Sequence, residues 1–523
     1  MRTPHAILLM LLSLFSLASC ATITISSDRP WGGGDGERVP ASSHTQVSAL
    51  WGQSGELFEP GGRLPDFSYA GYRFGEASIP TYRTVASVED YGANGRDQQD
   101  DTDAFVRALA RVQSGTIEIP EGQYYISGVV EISKPNVVLK GAGSDKTIIT
   151  VTNTLDDVEP LTARTGSGKP VSRYSWSGGF FSVKGKPVGR KRFEIIRDAR
   201  RGDRQVFVSN PEKFTPGDEV QIEMQGDSQG TLLSHLYSGQ PGETKNLKNN
   251  FTVRLYARVN SVNGQAITLN RPLPWQIRTA WQPTLRVSMP TVYDSGIEGI
   301  TIRFPSTPYE GHFTEVGRNA MAFVGTVNCW ARDIVIENAD SGIFFNGDQG
   351  TLDSITIRSS RSPSGGRTGH HGISLGSDNL LTNFRFETEF YHDITVTKLS
   401  AGNVIKNGEG VNLSLDHHKG ANHANLFCNL DVGKGSQIWT SGGAEALGRH
   451  AGAWSTYWAI RSDQPIRYPP SQFGPDSINL VAVQTNQQSR TDRDGVWFEV
   501  FDLDAFGPAD LHEAQLRRRL TGQ

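Results

Sequence analysis

Residues 87–151 read SVEDYGANGRDQQDDTDAFVRALARVQSGTIEIPEGQYYISGVVEISKPNVVLKGAGSDKTIITV. Asp100 or Asp101 can cap a helix on which Phe105, Leu109 and Val112 fall at helical spacing, and Gly115 ends it. Four short runs follow, TIEIP, YYISG, VVEIS and NVVLKGAG, each closed or followed by Gly, Pro or a polar turn residue, as strands are. From about Ser295 such runs return as GIEGITIRF, CWARDIVIEN, LDSITIRSS, NLLTNFRFET, YHDITVTKLS, GVNLSLDHH, NLFCNLDVG and STYWAIRS. They recur every 20 to 30 residues or so, the length of one coil of a solenoid whose coils bury their apolar faces against one another.

Composition agrees with this reading. Of 523 residues, 57 are Gly and 26 Pro, a balance that favours tight turns between short strands over long helices. Hydrophobic residues make up 37% and charged residues 20%, which excludes a polytopic membrane protein and argues against a largely disordered chain. With 51 Lys+Arg against 55 Asp+Glu, the net charge of -4 leaves no basic footprint, and nucleic acid is not expected as a partner. No Walker loop and no G-x-S-x-G elbow is present.

YGANG, DDTDAFVRAL, EIPEGQYYISG and VVLKGAG together resemble the opening of the pectate-lyase-like superfamily, closely over about 65 residues. The resemblance implies an all-β fold, a single-stranded right-handed parallel β-helix whose N-terminal helix caps the first coil. It identifies the fold far better than a chemistry, since the superfamily includes lyases, hydrolases, epimerases and phage tailspikes. On this frame residues 85–470 are expected to form the β-helix. Residues 191–274 break the coil rhythm with paired strands and the turns Pro216-Gly217-Asp218 and Asn263-Gly264, which reads as a small antiparallel insertion. Residues 471–523 form a tail whose last helix starts near Pro508 and packs back on the coils.

The N-terminus reads differently. Residues 1–19 carry Arg2 and an apolar stretch from Ala6 to Leu17 too short to span a bilayer, and so read as a signal peptide. Leu17-Ala18-Ser19-Cys20 resembles the bacterial lipoprotein box, which implies lipidation of Cys20 and, with Ala21 following, an outer-membrane anchor in the cell envelope; the alternative is a secreted protein. Residues 20–84, rich in Gly, Ser, Pro and Thr, read as a tether and loosely packed leader. Cys329 and Cys428 lie in apolar runs and are expected as buried thiols without a disulfide. A monomer is favoured.

Seven of the 12 histidines fall between His370 and His450. His371, His392 and His417 are separated by 21 and 25 residues, so they could form one ladder across coils. The densest segment is Asp416-His417-His418-Lys419-Gly420-Ala421-Asn422-His423, where a strand leaves the stack. Histidine titrates near neutrality, and Lys and Arg hold anionic sugars. The candidate catalytic residues are therefore His417, His418, His392, Lys419 and Arg449. The candidate substrate-binding residues are His371, His423, His450, Trp439, Glu387 and Asp416. Histidines with a carboxylate also suit zinc or another transition metal, although no H-E-x-x-H or Cys pair fixes one. Calcium is possible, with Glu387, Glu409 and Asp431 spaced 22 residues apart, and no cofactor is firmly implied.

Three functions are open on these residues. The first is a polysaccharide lyase cleaving a uronate-containing polysaccharide by β-elimination. The second is a glycoside hydrolase using two carboxylates from Glu387, Glu389, Glu409, Asp416 and Asp431. The third is a surface glycan-binding protein without catalysis.

Overall fold

The computed structural model describes residues 46–165, 168–188, 191–247 and 250–522. The expected signal peptide and the lipidation site at Cys20 lie outside these residues.

Alternation of apolar and polar residues sets the coils. Ile300, Ile334, Ile355 and Phe384 sit in register on successive strands, Gly296–Arg303, Trp330–Glu337, Thr351–Arg358 and Leu380–Phe386, and all four are buried. This parallel sheet continues through Val404–Gly410, Leu426–Asp431, Thr456–Arg461 and Asn479–Val483. Between its strands the chain visits a second parallel sheet of seven strands: Val130–Ile132, Phe181–Lys184, Asn319–Val327, Ser341–Asp348, His371–Ser377, His392–Val396 and Leu415–His417. Strands that alternate between two parallel sheets, with right-handed crossovers, make a right-handed parallel β-helix. At one corner Asn379, Asn403 and Asn425 stack. The Asn379 N–H donates to Asn403 Oδ1 at 3.0 Å, and Asn403 Nδ2 donates to Asn425 Oδ1 at 2.9 Å, so the bend satisfies its own polar groups.

The helix Thr102–Arg111 covers the first coil and buries Ala104, Phe105, Ala108 and Leu109. The Asp100 carboxylate accepts the Thr102 N–H, while Asp101 turns away to accept from Asn94 N and Tyr125 N. The helix stops before Gly115: Lys134 Nζ donates to the carbonyls of Leu109, Ala110 and Val112, and Gly115 opens the next strand at φ 110°.

The antiparallel insertion is longer than residues 191–274. It is closed by a bridge between Pro187 and Pro290, because Thr284–Val287 is needed to pair with Glu219–Gln225 inside a six-stranded sheet. Its own core, built on Ile222, Leu255, Trp275 and Trp281, extends to Ala421, Ala424 and Ala453 of the β-helix.

The described part of the leader, residues 46–84, is not loosely packed. Trp51, Leu64, Phe67, Tyr69 and Phe74 are buried, and the segment runs along the coils as a strap. The Ala49 N–H donates to Glu499, the Arg63 side chain to Asn479, the Gly71 N–H to Asp378 O, the Tyr72 N–H to Thr351 Oγ1 and the Tyr82 hydroxyl to Asn136, so it passes from the last coil to the first. The terminal helix Leu511–Thr521, capped by Asp510, packs on this strap through Gln515, whose Nε2 donates to Pro65 O. Cys329 and Cys428 are both buried free thiols.

Candidate active site

Period two decides which side chains reach the surface of the seven-stranded sheet. Val183, Phe323, Phe345, Leu375, Val396 and His417 are in register and form an inner row. One residue earlier on each strand, Ser182, Ala322, Phe344, Ser374, Thr395 and Asp416 form the outer row. Asp416 and His417 therefore face opposite ways.

Asp416 anchors a polar group on the outer face. It is fully buried and accepts from Gly442 N at 2.7 Å and Thr395 Oγ1 at 3.0 Å. His418, just past the strand, turns its ring back so that Nδ1 lies 2.8 Å from Asp416 Oδ2. His392 Nδ1 lies 3.4 Å from the same oxygen. His371 Nδ1 is 3.2 Å from Thr395 Oγ1, and its ring stacks on His392 with centroids 4.9 Å apart. The backbone after His418 bends through three successive left-handed residues, Lys419, Gly420 and Ala421, and the insertion pins it: Ala421 N donates to the Tyr237 hydroxyl at 2.9 Å.

The electrostatics separate these imidazoles. Burial alone would push His418 down, but the hydrogen bond and charge of Asp416 override it and hold His418 above its ordinary value. Burial likewise works to raise Asp416, yet the His418 hydrogen bond and the neighbouring imidazoles bring it well below the usual carboxylate range. His392 is lowered by burial, only partly offset by Asp416. His371 is lowered by burial and by His370 and His392 beside it.

His370, His312, Glu315, Phe313 and Trp176 complete one wall. The His370 and His371 rings lie 4.1 Å apart, His312 and His370 4.4 Å, and Trp176 and His370 5.0 Å. On another side Gly442 lies against the His392 and His418 rings. Lys419, next to His418 in the chain, lines a cavity of about 630 Å³ with Glu445, Arg449, His450 and Gln472 among others. The group thus opens toward a surface offering aromatic rings on one side and cationic groups on the other.

The ladder expected through His371, His392 and His417 changes at its third rung. His371 and His392 pair across their strands, but His417 pairs with Val396, because its extra four residues of spacing carry it along the strand. His417 Nδ1 lies 2.6 Å from Asn422 Oδ1, and its Nε2 2.7 Å from the Tyr457 hydroxyl, inside the core; His418 takes the place beside His392. His423 is fully buried, with Nδ1 donating to Ala421 O. Trp439 packs on Tyr457 and Phe473 and donates to Arg467 O. Glu387 lines a separate cavity of about 490 Å³ with Glu409 and Asp431; Glu409 is held by Arg385. Among the described residues, the carboxylates at metal-ligand spacing are Asp416 and Glu315, and both stand with histidines.

His312, Glu315 and Trp176 were not among the sequence candidates. They arrive from loops outside the histidine-dense window, and nothing in their linear neighbourhood marks them.

Residues 85–174 match the model of the family described as Rhamnogalacturonase A/epimerase, pectate lyase-like. Over this stretch the chain is similar to pectate lyase-like proteins. A 100-residue stretch is 33% identical to alginate lyase 7 of Azotobacter vinelandii, over 17% of this chain and 12% of that protein's length. Among solved structures, the tailspike protein gp49 of Pseudomonas phage LKA1 overlays at TM-score 0.40 and 14% identity, covering 76% of this chain and 64% of that one. An alginate lyase from Paenibacillus sp. str. FPU-7 overlays at TM-score 0.33 and 10% identity, covering 76% and 90%. The pectate lyase-like match ends before the histidine group, so the chemistry rests on the group itself.

Proposed function

We propose that this chain is a polysaccharide lyase that cleaves a uronate-containing polysaccharide by β-elimination. The observation that carries the reading is the outward-facing set of Asp416, His418 and His392, with Lys419 and Arg449 lining the adjoining cavity. The likeness to an alginate lyase over 100 residues supports it and makes alginate the first polymer to test.

Elimination needs three services: a cation beside the uronate carboxylate, a base for the C5 proton and an acid for the leaving oxygen. Groups whose environments push them apart divide such roles. His418 donates Nδ1–H to Asp416, is held protonated by it, and presents its other nitrogen to solvent as the acid. His392, buried and uncharged, is the base. As His392 takes the C5 proton, the C5–H electrons form the C4–C5 double bond, the C4–O4 bond breaks, and O4 receives the His418 proton. Lys419 and Arg449 hold neighbouring carboxylates of the polymer.

The hydrolase reading needs two carboxylates flanking the bond. Glu389 is paired with Arg367 and Lys434, Glu409 with Arg385, and Glu387 and Asp431 line the other cavity. The imidazoles therefore favour elimination. A lipid anchor at Cys20 would place this activity at the outer membrane.

The test is a screen of uronate and neutral polysaccharides that follows ultraviolet absorbance and reducing ends together. Elimination produces both on a uronate polymer, and His418→Ala slows both about 100-fold or more. Reducing ends without absorbance would overturn the mechanism, and no product on any uronate polymer would leave the binding reading in its place.

A further inference from the structure

Glu315 stands out among the carboxylates of this wall. Its side chain is 1% exposed, yet its side-chain hydrogen-bond donor is a neutral group, the Tyr309 hydroxyl, 2.5 Å from Oε1. Nearby Arg361 pairs with Asp340 instead. A buried carboxylate without a cation is costly by several kcal/mol. The groups facing it are imidazoles: His370 Nδ1 lies 3.8 Å and His312 Nδ1 4.0 Å from Glu315 Oε1. Glu315 Oε2, His312 Nδ1 and the nearby Trp176 Nε1 are buried and make no hydrogen bond.

We propose that His312, Glu315 and His370 hold a divalent transition-metal ion of the zinc class. Zinc binds nitrogen and carboxylate oxygen at about 2.0–2.2 Å, so two atoms bound to one ion lie no more than about 4.2 Å apart. The Glu315 separations fall inside that reach, and all three ligand atoms lie within 4.8 Å of one another. The ion would supply the positive charge that Glu315 lacks and take the free Nδ1 of His312. The Tyr309 hydroxyl donates to the same Oε1 and fixes its position, as the outer partners of metal ligands do. Two histidines and one glutamate leave a coordination position open, and the Trp176 ring, whose Nε1–H is buried without a partner, packs against His370 beside it. Softer nitrogen ligands select zinc-like ions over calcium.

The ion's use rests on the elimination reading. The His312 and His392 ring centroids are 6.4 Å apart, so an oxyanion at the open position lies beside the base, where the uronate carboxylate must be neutralised. Metal uptake itself is read without any glycan, so the two ideas fail separately.

The experiment titrates chelator-treated full chain with zinc chloride by calorimetry, and with cobalt chloride by visible absorbance. The expected result is about one tight equivalent per chain, and a cobalt spectrum of low coordination number. Glu315→Gln and His312→Ala should each weaken uptake about tenfold or more, while His418→Ala retains it. His312 sits on a surface loop, so its variant keeps the test open if Glu315→Gln fails to fold. No uptake by the wild type, or uptake unchanged in His312→Ala, would overturn the proposal. Loss of uptake in His418→Ala with retention in His312→Ala would move the ion to Asp416 and overturn it equally.

Discussion

His417 and His418 are neighbours in the chain and do different work. His417 occupies the inner row between Asn422 and Tyr457, so His417→Ala leaves a cavity and two unpartnered polar groups. A loss of about 2–4 kcal/mol is expected in urea unfolding, with the surviving folded fraction still able to cleave. His418→Ala should lower kcat/KM about 100-fold or more in the folded fraction, and it also costs stability, because the buried Asp416 loses its hydrogen-bonded partner. The two cannot be told apart by composition or by spacing in sequence, since both lie in one dense run. What separates them is strand parity, fixed by the register of Thr395 with Asp416 and of Val396 with His417. The raised pKa of His418 adds a pH signature. Its acid form is complete below the ordinary value of 6.5 and is lost as pH climbs through the raised folded value. Activity should therefore fall on an alkaline limb lying above pH 6.5, and a limb at or below 6.5 in the kcat/KM profile would remove His418 from the acid role.

Two elements position this chemistry, and they were legible to different degrees. The coil strands were plain in the sequence because each repeats an apolar period every 20 to 30 residues or so. The Gly442 segment was not, since its contribution is a backbone N–H held against Asp416 rather than a side chain. A Cβ on Gly442 would lie 2.7 Å from Cε1 of both His392 and His418. Gly442→Ala should displace both rings and lower kcat/KM about tenfold or more, with the melting temperature nearly unchanged; normal kinetics would show that the rings need not stay where they are. The packing of residues 46–84 leaves no sequence signature for a physical reason. Trp51, Leu64 and Phe67 join one apolar cluster with Val404, Leu426, Trp458 and Val481 of the coils from a segment without a sustained period, so burial left no pattern to read. Phe67→Ala, which empties a buried ring site in the strap, should cost about 3–5 kcal/mol by chemical denaturation. A loss under about 1 kcal/mol would mean that the strap contributes little.

Across the whole molecule, the coils turn residues far apart in sequence into one surface. His371, His392, Asp416 and His418 come from three successive strands and the turn after the last, and the density of histidines in the sequence marks them as candidates. His312, Glu315 and Trp176 reach the same surface from loops of earlier coils, which only the folded stack brings near. The same packing buries many uncharged imidazoles, including His235, His312, His417 and His423, each lowered to about 4 chiefly by burial. Below pH 6.5 the unfolded chain takes up protons that the folded chain refuses, so stability should fall steadily from pH 6.5 toward 4. Melting temperatures at fixed salt across that range check this, and a flat profile would contradict it.

The central claim is that the glycosidic bond is broken by elimination and not by water. Digesting a uronate polymer such as alginate in water enriched in heavy oxygen, and weighing the products by mass spectrometry, tests it directly. The account predicts products whose new ends carry a double bond and which together weigh no more than the polymer. Products heavier by one water per cleavage, with heavy oxygen in the new end, would contradict it.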